Sequence, residues 1–568
     1  MLYSDSLLRP KLLALALWAT AFVIWLMLIG PPIPLPSSQS QHHSNGAVFN
    51  METGRPGLAP VLLEEHPIKT LVRQAQAEFE EQLARQSRTF KSAASEYQRR
   101  YHRLPPPGFD LWYEFAVKHN SPIIDDFVII NGSLKPFWTL SGSEVRRRLA
   151  NVRKNGPAIQ HCQFVGGRLS YGCGYLGGEL LSWLEDAGVW SKLPGLELLI
   201  DRLDEPRVLS GGVDEKLVVD GTIVWTDQSH SRVWDDITAA CGFEPDLRAP
   251  VSIKSSKTPL LTQKNFDNGK PESSDICQHP EYSRVYGLWD SPSSLHTTRT
   301  AVPILSAAVP STMGDIPIPA EAYTNDMFTY NETEDRAWET KTAGLYWAGK
   351  TTGSFQGVSY LDWKLHHRQR FVALVNGLEE GKEHTYLARS PGRDGSEWTR
   401  RKSSVLDASL YSVHFTDVVQ YADSTTNASI RAYFDIHPAQ PRNESFKYTL
   451  NFDTDGNGHS GRFYRLLESR SLPLKQTVLR EWHDERLKPW LHYVPISLGM
   501  EDLPEAVRYL ADEEEGRAVA AFMAEEGRRW SRRALRPVDQ AIYLYRLMLS
   551  WRGCRMRVGL VLVEQHDS

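Results

Sequence analysis

Apolar residues run without a charge from Leu12 to Gly30, LLALALWATAFVIWLMLIG. As a helix that stretch covers about 28 Å, close to the roughly 30 Å of a bilayer's hydrocarbon core, which predicts a membrane span. Arg9 and Lys11 precede it and no comparable basic cluster follows, so the positive-inside rule places residues 1–11 in the cytosol and the rest in the lumen. A cleaved signal peptide is the alternative. The run is long for such a segment and passes into PPIPLP without a small-residue cleavage site, which favours an uncleaved anchor. Residues 31–60 are rich in Pro, Ser, Gln, His and Gly and read as a flexible stem. From Leu71 to Arg103 apolar residues recur at three- and four-residue steps among mixed charges, predicting one amphipathic helix that packs on the body or self-associates. Pro105–Pro107 ends it.

Beyond the prolines the pattern alternates. LELLIDRLD, YWAG, YTLNFD and WLHYVPI read as short buried strands, while LDWKLHHRQRFVALVNGL and GRFYRLLESR read as helices, an order that predicts α/β architecture with parallel sheets. Residues 252–298 read as an irregular surface insertion, and the segment from Leu503 to Trp551 as a set of helices with solvated charged faces.

Composition changes this picture in two places. A formal charge of -5, without a long Lys/Arg run, gives no footprint for nucleic acid. Five cysteines without CxxC spacing argue against zinc. In an oxidising lumen they allow one or two disulfides, Cys162/Cys173 and Cys241/Cys277 being the nearest pairings, with one thiol left odd. The sequons at Asn131, Asn331, Asn427 and Asn443 accord with a lumenal chain.

Three features carry candidate chemistry. The strand pattern LPGLELLID opens into Asp201, Arg202, Asp204 and Glu205, where ligands of open α/β sheets collect; a structural Asp capping a turn explains the same residues. In GHSGRFYRLL, small residues precede Arg462 at a predicted helix start, where backbone N–H groups, dipole and guanidinium converge on an anion; Arg462 or Arg465 as plain surface residues is the alternative. DTDGNG, residues 453–458, matches the start of a calcium loop, but the twelfth position is Tyr464, and it reads as a turn.

The ordered blocks LPGLELLIDRLDEPRV, VPILSAAVPSTMGDIPIP, LYWAGKTTG, HHRQRF, LYSVHF, NFDTDGNGHSGRFYRLLES and LREWHDERLKPWLHYVPISLGMEDL resemble the fungal capsule-associated glycosyltransferases. These share glycosyltransferase family 90 with the Rumi-type protein O-glucosyltransferases. The resemblance covers roughly residues 105–552. It implies an α/β fold of two Rossmann-like lobes, GT-B type, behind the transmembrane helix and a stem spanning residues 31–103. The N-terminal lobe, 104–335, would carry the acceptor side and the base; the C-terminal lobe, 336–500, the nucleotide sugar; helices over 501–568 would follow. It further implies a UDP-sugar donor, glucose or xylose, inversion at the anomeric carbon, and a glycan or glycoprotein acceptor in the Golgi or endoplasmic reticulum lumen. By this resemblance Asp204 is the base. Arg462, with Ser460 and Gly461, and Arg368, with Arg370 as the alternative, take the diphosphate; Thr351 lies in the donor loop and Glu481 on the ribose. Lys350 stands where related fungal sequences have Ser. That departure leaves open a catalytically inactive, membrane-tethered carbohydrate-binding or scaffold protein of the same fold. No residue set predicts a metal site, and a divalent metal requirement and the oligomeric state are left open.

Overall fold

The computed structural model describes residues 65–560 except 166–167, 170–172, 193–195, 211–217, 220–221, 243–265, 268–273, 358–361, 380 and 390–396. The predicted span at 12–30 and the flexible stem lie outside these residues. Among the described residues no helix is long and apolar enough to cross a membrane.

Two five-stranded sheets organise the chain. The first contains β1 (Ile159–Val165), β2 (Arg168–Leu169), β3 (Leu196–Asp201), β4 (Ile304–Ser306) and β5 (Ile316–Pro317), in the order β5-β4-β3-β1-β2. The second contains β6 (Thr342–Lys350), β7 (Tyr411–Asp417), β8 (Tyr448–Thr454), β9 (Leu472–Gln476) and β10 (Val494–Pro495), in the order β7-β6-β8-β9-β10. Every pair in the second sheet is parallel. Its strands alternate with helices His367–Val375, Ser424–Tyr433 and Phe463–Glu468, and its order, 2-1-3-4-5, is that of a doubly wound sheet whose switch point falls between β6 and β8. β8 is buried at six of its seven positions, so its alternate polar residues Thr449, Asn451 and Asp453 lie inside the fold.

The expectation of parallel sheets holds for the second sheet and fails for half of the first. There β1 pairs antiparallel with β3, from Ile159 opposite Asp201 to Phe164 opposite Leu196, and only β3, β4 and β5 run parallel. The described residues of both sheets fall in one compact unit. One hydrophobic cluster runs from Leu198 and Leu199 of the first sheet to Leu345 and Leu450 of the second. The C-terminal helices tie the ends together. Pro537–Leu560 packs on the helices Phe109–Lys118 and Gly178–Asp186, and Tyr543 donates to the carbonyl of Pro317 beside the first sheet. Glu514–Ala534 lies against β9 of the second.

The single helix expected over 71–103 is two, Pro67–Ala84 and Phe90–Tyr101. Thr89 stops continuity: it sits in extended backbone and forms a reciprocal capping box with Ser92, satisfying N–H groups that an unbroken helix would have used internally. Phe79 packs edge-on against His492 and Trp530, so the first of these helices is seated on the body. The supposed surface insertion also divides. Its later part is core, with Tyr286 and Trp289 and the short helix Gly287–Asp290 buried. WLHYVPI yields only the two-residue strand β10. Disulfides join Cys162 to Cys173 and Cys241 to Cys277, the two pairings nearest in sequence.

Candidate active site

Strand β3 ends at Asp201 because its carboxylate turns back on the chain, accepting from Leu203 N at 3.1 Å and from Arg207 Nε at 3.0 and 2.9 Å. Asp201 is therefore the turn-capping carboxylate. Three residues on, Asp204 is exposed. Glu205 turns inward to Ser294, whose N–H and Oγ both lie at 3.3 Å, and burial together with the neighbouring Asp204 charge pushes its carboxyl up to about 7.

Gly458 brings the second sheet to Asp204. A Cβ at position 458 would stand 2.4 Å from the Asp204 carbonyl oxygen, so only glycine allows this approach. Gly458 closes the turn after β8, and two residues later Ser460 donates to Asp453. Of the 453–458 segment expected as a turn, Asp453 and Thr454 finish β8 and the turn is confined to residues 455–458; Asp453 and Asp455 are buried. Asp455 accepts from Tyr286 Oη at 2.7 Å and Thr477 Oγ1 at 2.8 Å; burial raises its carboxyl to about 7 against the pull of Lys475 and these bonds.

Arg462 precedes the helix Phe463–Glu468, whose six residues are too few for a substantial macrodipole. Any anion there would be held mainly by side-chain charge. The Arg462 guanidinium donates to Ala348 O at 2.9 Å and lies 5.9 Å from the Trp347 ring centroid. It opens on a cavity of about 290 Å³ whose wall includes Phe328, Tyr346, Lys350, Arg442 and Arg465. Among the described residues no aspartate or glutamate lines this cavity. Gly461 packs below it, where a Cβ would meet Phe328 at 3.2 Å.

The other residues expected at the donor are engaged within the protein. Arg368 donates to the carbonyls of Lys350, Thr454 and Asp455 and to Thr352 Oγ1, clasping the ends of β6 and β8 at the switch point. Gly353, at φ 109°, makes the turn beside it that a side chain would strain. Arg370 faces elsewhere, donating to Leu498 O and Gly499 O. Thr351 exchanges bonds with Val419, its hydroxyl donating to one backbone carbonyl and accepting one N–H, both at 2.9 Å. Lys350 is 57% exposed and stands 3.5 Å from Asp417.

Glu481 is fully buried. It accepts from Tyr323 Oη and from Lys475 Nζ, the latter at 3.2 Å, while Lys475 also reaches Asp453 at 3.5 Å. Burial opposes its charge, but Lys475, His483, His459 and the Tyr323 bond hold its carboxyl at about 2. Ser460, Asp453, Lys475, Glu481 and Tyr323 therefore form one internal network beneath the 458–462 loop.

Sequence reasoning missed Lys475 and Tyr286, and it left Arg465 an open choice. A lysine inside the apolar strand LPLKQ was the available signal for Lys475. The three-residue spacing of Arg462 and Arg465 was the signal for a shared helix face. Nothing local marks Tyr286, which reaches Asp455 across 169 positions of sequence. Among the described residues no group of three or more His, Cys, Asp or Glu side chains is arranged to hold a metal.

Residues 380–552 match the model of glycosyl transferase family 90. Protein O-glucosyltransferase 3 of Mus musculus is 29% identical over 189 residues, 31% of this chain and 35% of that protein. Protein O-glucosyltransferase 2 of Danio rerio is 26% identical over 174 residues, 29% and 32% of the two chains. The O-glucosyltransferase rumi homolog of Aedes aegypti is 31% identical over 170 residues, 28% and 36%. The chain spans about a third of the length of the curated relatives it matches. The family match contains Arg442, Arg462, Arg465, Lys475 and Glu481, and it begins after Asp204, Lys350 and Arg368. Through residues 380–552, this chain is similar to glycosyl transferase family 90.

Proposed function

We propose that this protein transfers a sugar, glucose or xylose, from a UDP-sugar to a hydroxyl of a glycoprotein or glycan, with inversion at the anomeric carbon. The observation that carries this reading is the contact of Gly458 with Asp204, which sets an exposed carboxylate beside the loop leading to Arg462. The relatives, all named O-glucosyltransferases, favour glucose and a protein acceptor.

In this mechanism Asp204 accepts the proton of the acceptor hydroxyl as its oxygen attacks the anomeric carbon from the face opposite the diphosphate. Arg462 stabilises the charge that develops on the departing UDP. Arg368, Ser460 and Thr351 hold the loops on which that geometry depends, and Glu481 anchors the loop through Lys475. Whether transfer needs a divalent metal is decided by an assay with and without EDTA.

The same reading places the enzyme as a single-pass type II membrane protein of the Golgi or endoplasmic reticulum, its body in the lumen. Two disulfides accord with an oxidising compartment. The test is purified protein incubated with UDP-glucose or UDP-xylose and a glycoprotein acceptor, products being identified by mass spectrometry. Asp204→Asn should abolish transfer while UDP still binds. Normal turnover by that variant would remove Asp204 as the base, and UDP and glycan binding without turnover of any donor would favour the inactive scaffold.

A further inference from the structure

The two arginines expected on the diphosphate differ in how much of each is free. Arg368 gives four of its five N–H donors to Lys350 O, Thr352 Oγ1, Thr454 O and Asp455 O. Its guanidinium is a strut between loops. Arg465, one helical turn beyond Arg462, is different: its Nε is buried and has no hydrogen-bond partner, and it lines the same cavity as Arg462 and Arg442. Burial, then repulsion from Arg462 and Arg442, pulls its guanidinium down to about 10. Three arginines facing one cavity with, among the described residues, no acidic side chain in its lining, one of them with a buried unsatisfied donor, form an arrangement that an anion would relieve. The cavity's roughly 290 Å³ is at the small end of ligand pockets, and the Tyr346 and Phe328 rings on its wall suit a planar base.

We propose that Arg465, beside Arg462, is a direct ligand of the diphosphate of a nucleoside diphosphate, with Arg442 closing the rim and Arg368 acting as a positioning residue. The proposal rests on the transfer reading for the identity of the nucleotide, but its test does not depend on turnover. Isothermal titration of the full chain with UDP, UMP and inorganic pyrophosphate measures it. Arg465→Gln should weaken UDP binding by about tenfold or more and flatten its salt dependence, with a smaller effect on UMP. UDP affinity within about twofold of wild type in that variant would overturn the assignment.

Should Arg465→Gln fail to fold, arginine-selective labelling of the wild-type chain with peptide mapping replaces it. UDP should protect Arg465 as well as Arg462, and identical labelling of Arg465 with and without UDP overturns the proposal. A wild-type protein that binds UDP, protects Arg465 and transfers no sugar defeats the transfer reading and leaves this site standing. Sugar transfer without protection of Arg465 does the reverse.

Discussion

The carboxyl ends of β3 and of the second sheet meet at Gly458, and they treat charge in opposite ways. At the end of β3 stand carboxylates. Asp201 is closed on Arg207 and Glu205 on Ser294, and Asp204 is exposed. At the second sheet the carboxylates are the closed partners, Asp453 and Glu481 being held by Lys475, while Arg462, Arg465 and Arg442 face a cavity that no acid among the described residues lines. On both sides a charge that has found its partner inside the fold serves the fold. What remains open is an anion on one side and cations on the other, the pair of charges a transfer between an acceptor hydroxyl and a diphosphate leaving group requires.

The contrast breaks most directly at Asp204. Asp204→Asn should lower kcat by about 10²–10⁴ while the affinity for UDP changes little, whereas Arg462→Gln should act mainly on UDP affinity. Steady-state kinetics paired with titration calorimetry separates the two. An equal loss of UDP binding in both variants would mean that the two sheet ends do not divide the work as described.

Next in size is the closed network. Lys475→Met would leave Asp453 and Glu481 buried without their cation, and breaking a buried ion pair from one side costs about 3–5 kcal/mol. Urea denaturation should show that loss, with Glu481→Gln less severe because Lys475 keeps Asp453 as its counterion. The pH dependence follows from the lowered carboxyl of Glu481. Its contribution is fully present above about pH 4.5 and is lost as the pH falls toward 2.

Glu205 has the opposite sign and a smaller effect. Its folded carboxyl, raised to about 7, keeps a proton that the unfolded chain releases above about pH 4.5, so stability falls as pH rises from 4.5 to 7. Glu205→Gln should flatten that slope and raise the melting temperature at pH 8 by on the order of a few degrees, leaving it unchanged near pH 4.5. Differential scanning fluorimetry across pH 4–8 reads this. A wild-type curve that rises through the window would contradict the buried, neutral-leaning state of Glu205.

Much of this arrangement was legible along the chain. β3 and β6 were, because each is a run of apolar residues that must be buried, β8 because Tyr448, Leu450 and Phe452 alternate along it, and so was the helix that begins within HHRQRF. The site residues divided differently. Asp204 was visible because a strand pattern stopped at it, and Arg462 because small residues led to it. Which charges would be spent internally was not visible, because the partners lie far off in sequence. Glu481 meets Tyr323 across 158 positions, and Arg368 meets Asp455 across 87. The antiparallel β1–β3 pairing was hidden for a related reason: periodicity reports which face is buried and says nothing of strand direction.

The smallest expected effect concerns Lys350, the residue whose presence in the LYWAGKTTG block raised the idea of an inactive protein. Lys350 lines the cavity, but more than half of its side chain is exposed, and its partner Asp417 is 41% exposed. An ion pair so open contributes about 0–1 kcal/mol, and a cation beside three arginines does not oppose an anionic ligand. The bond network of the loop also bypasses its side chain, since Arg368 takes the Lys350 carbonyl and Val419 takes Thr351. Lys350→Ser should therefore leave melting temperature unchanged and weaken UDP binding by less than about threefold, mostly at low salt. A variant that gained transfer activity over the wild type would show instead that Lys350 obstructs the donor, and the inactive-scaffold reading of the natural chain would regain its ground.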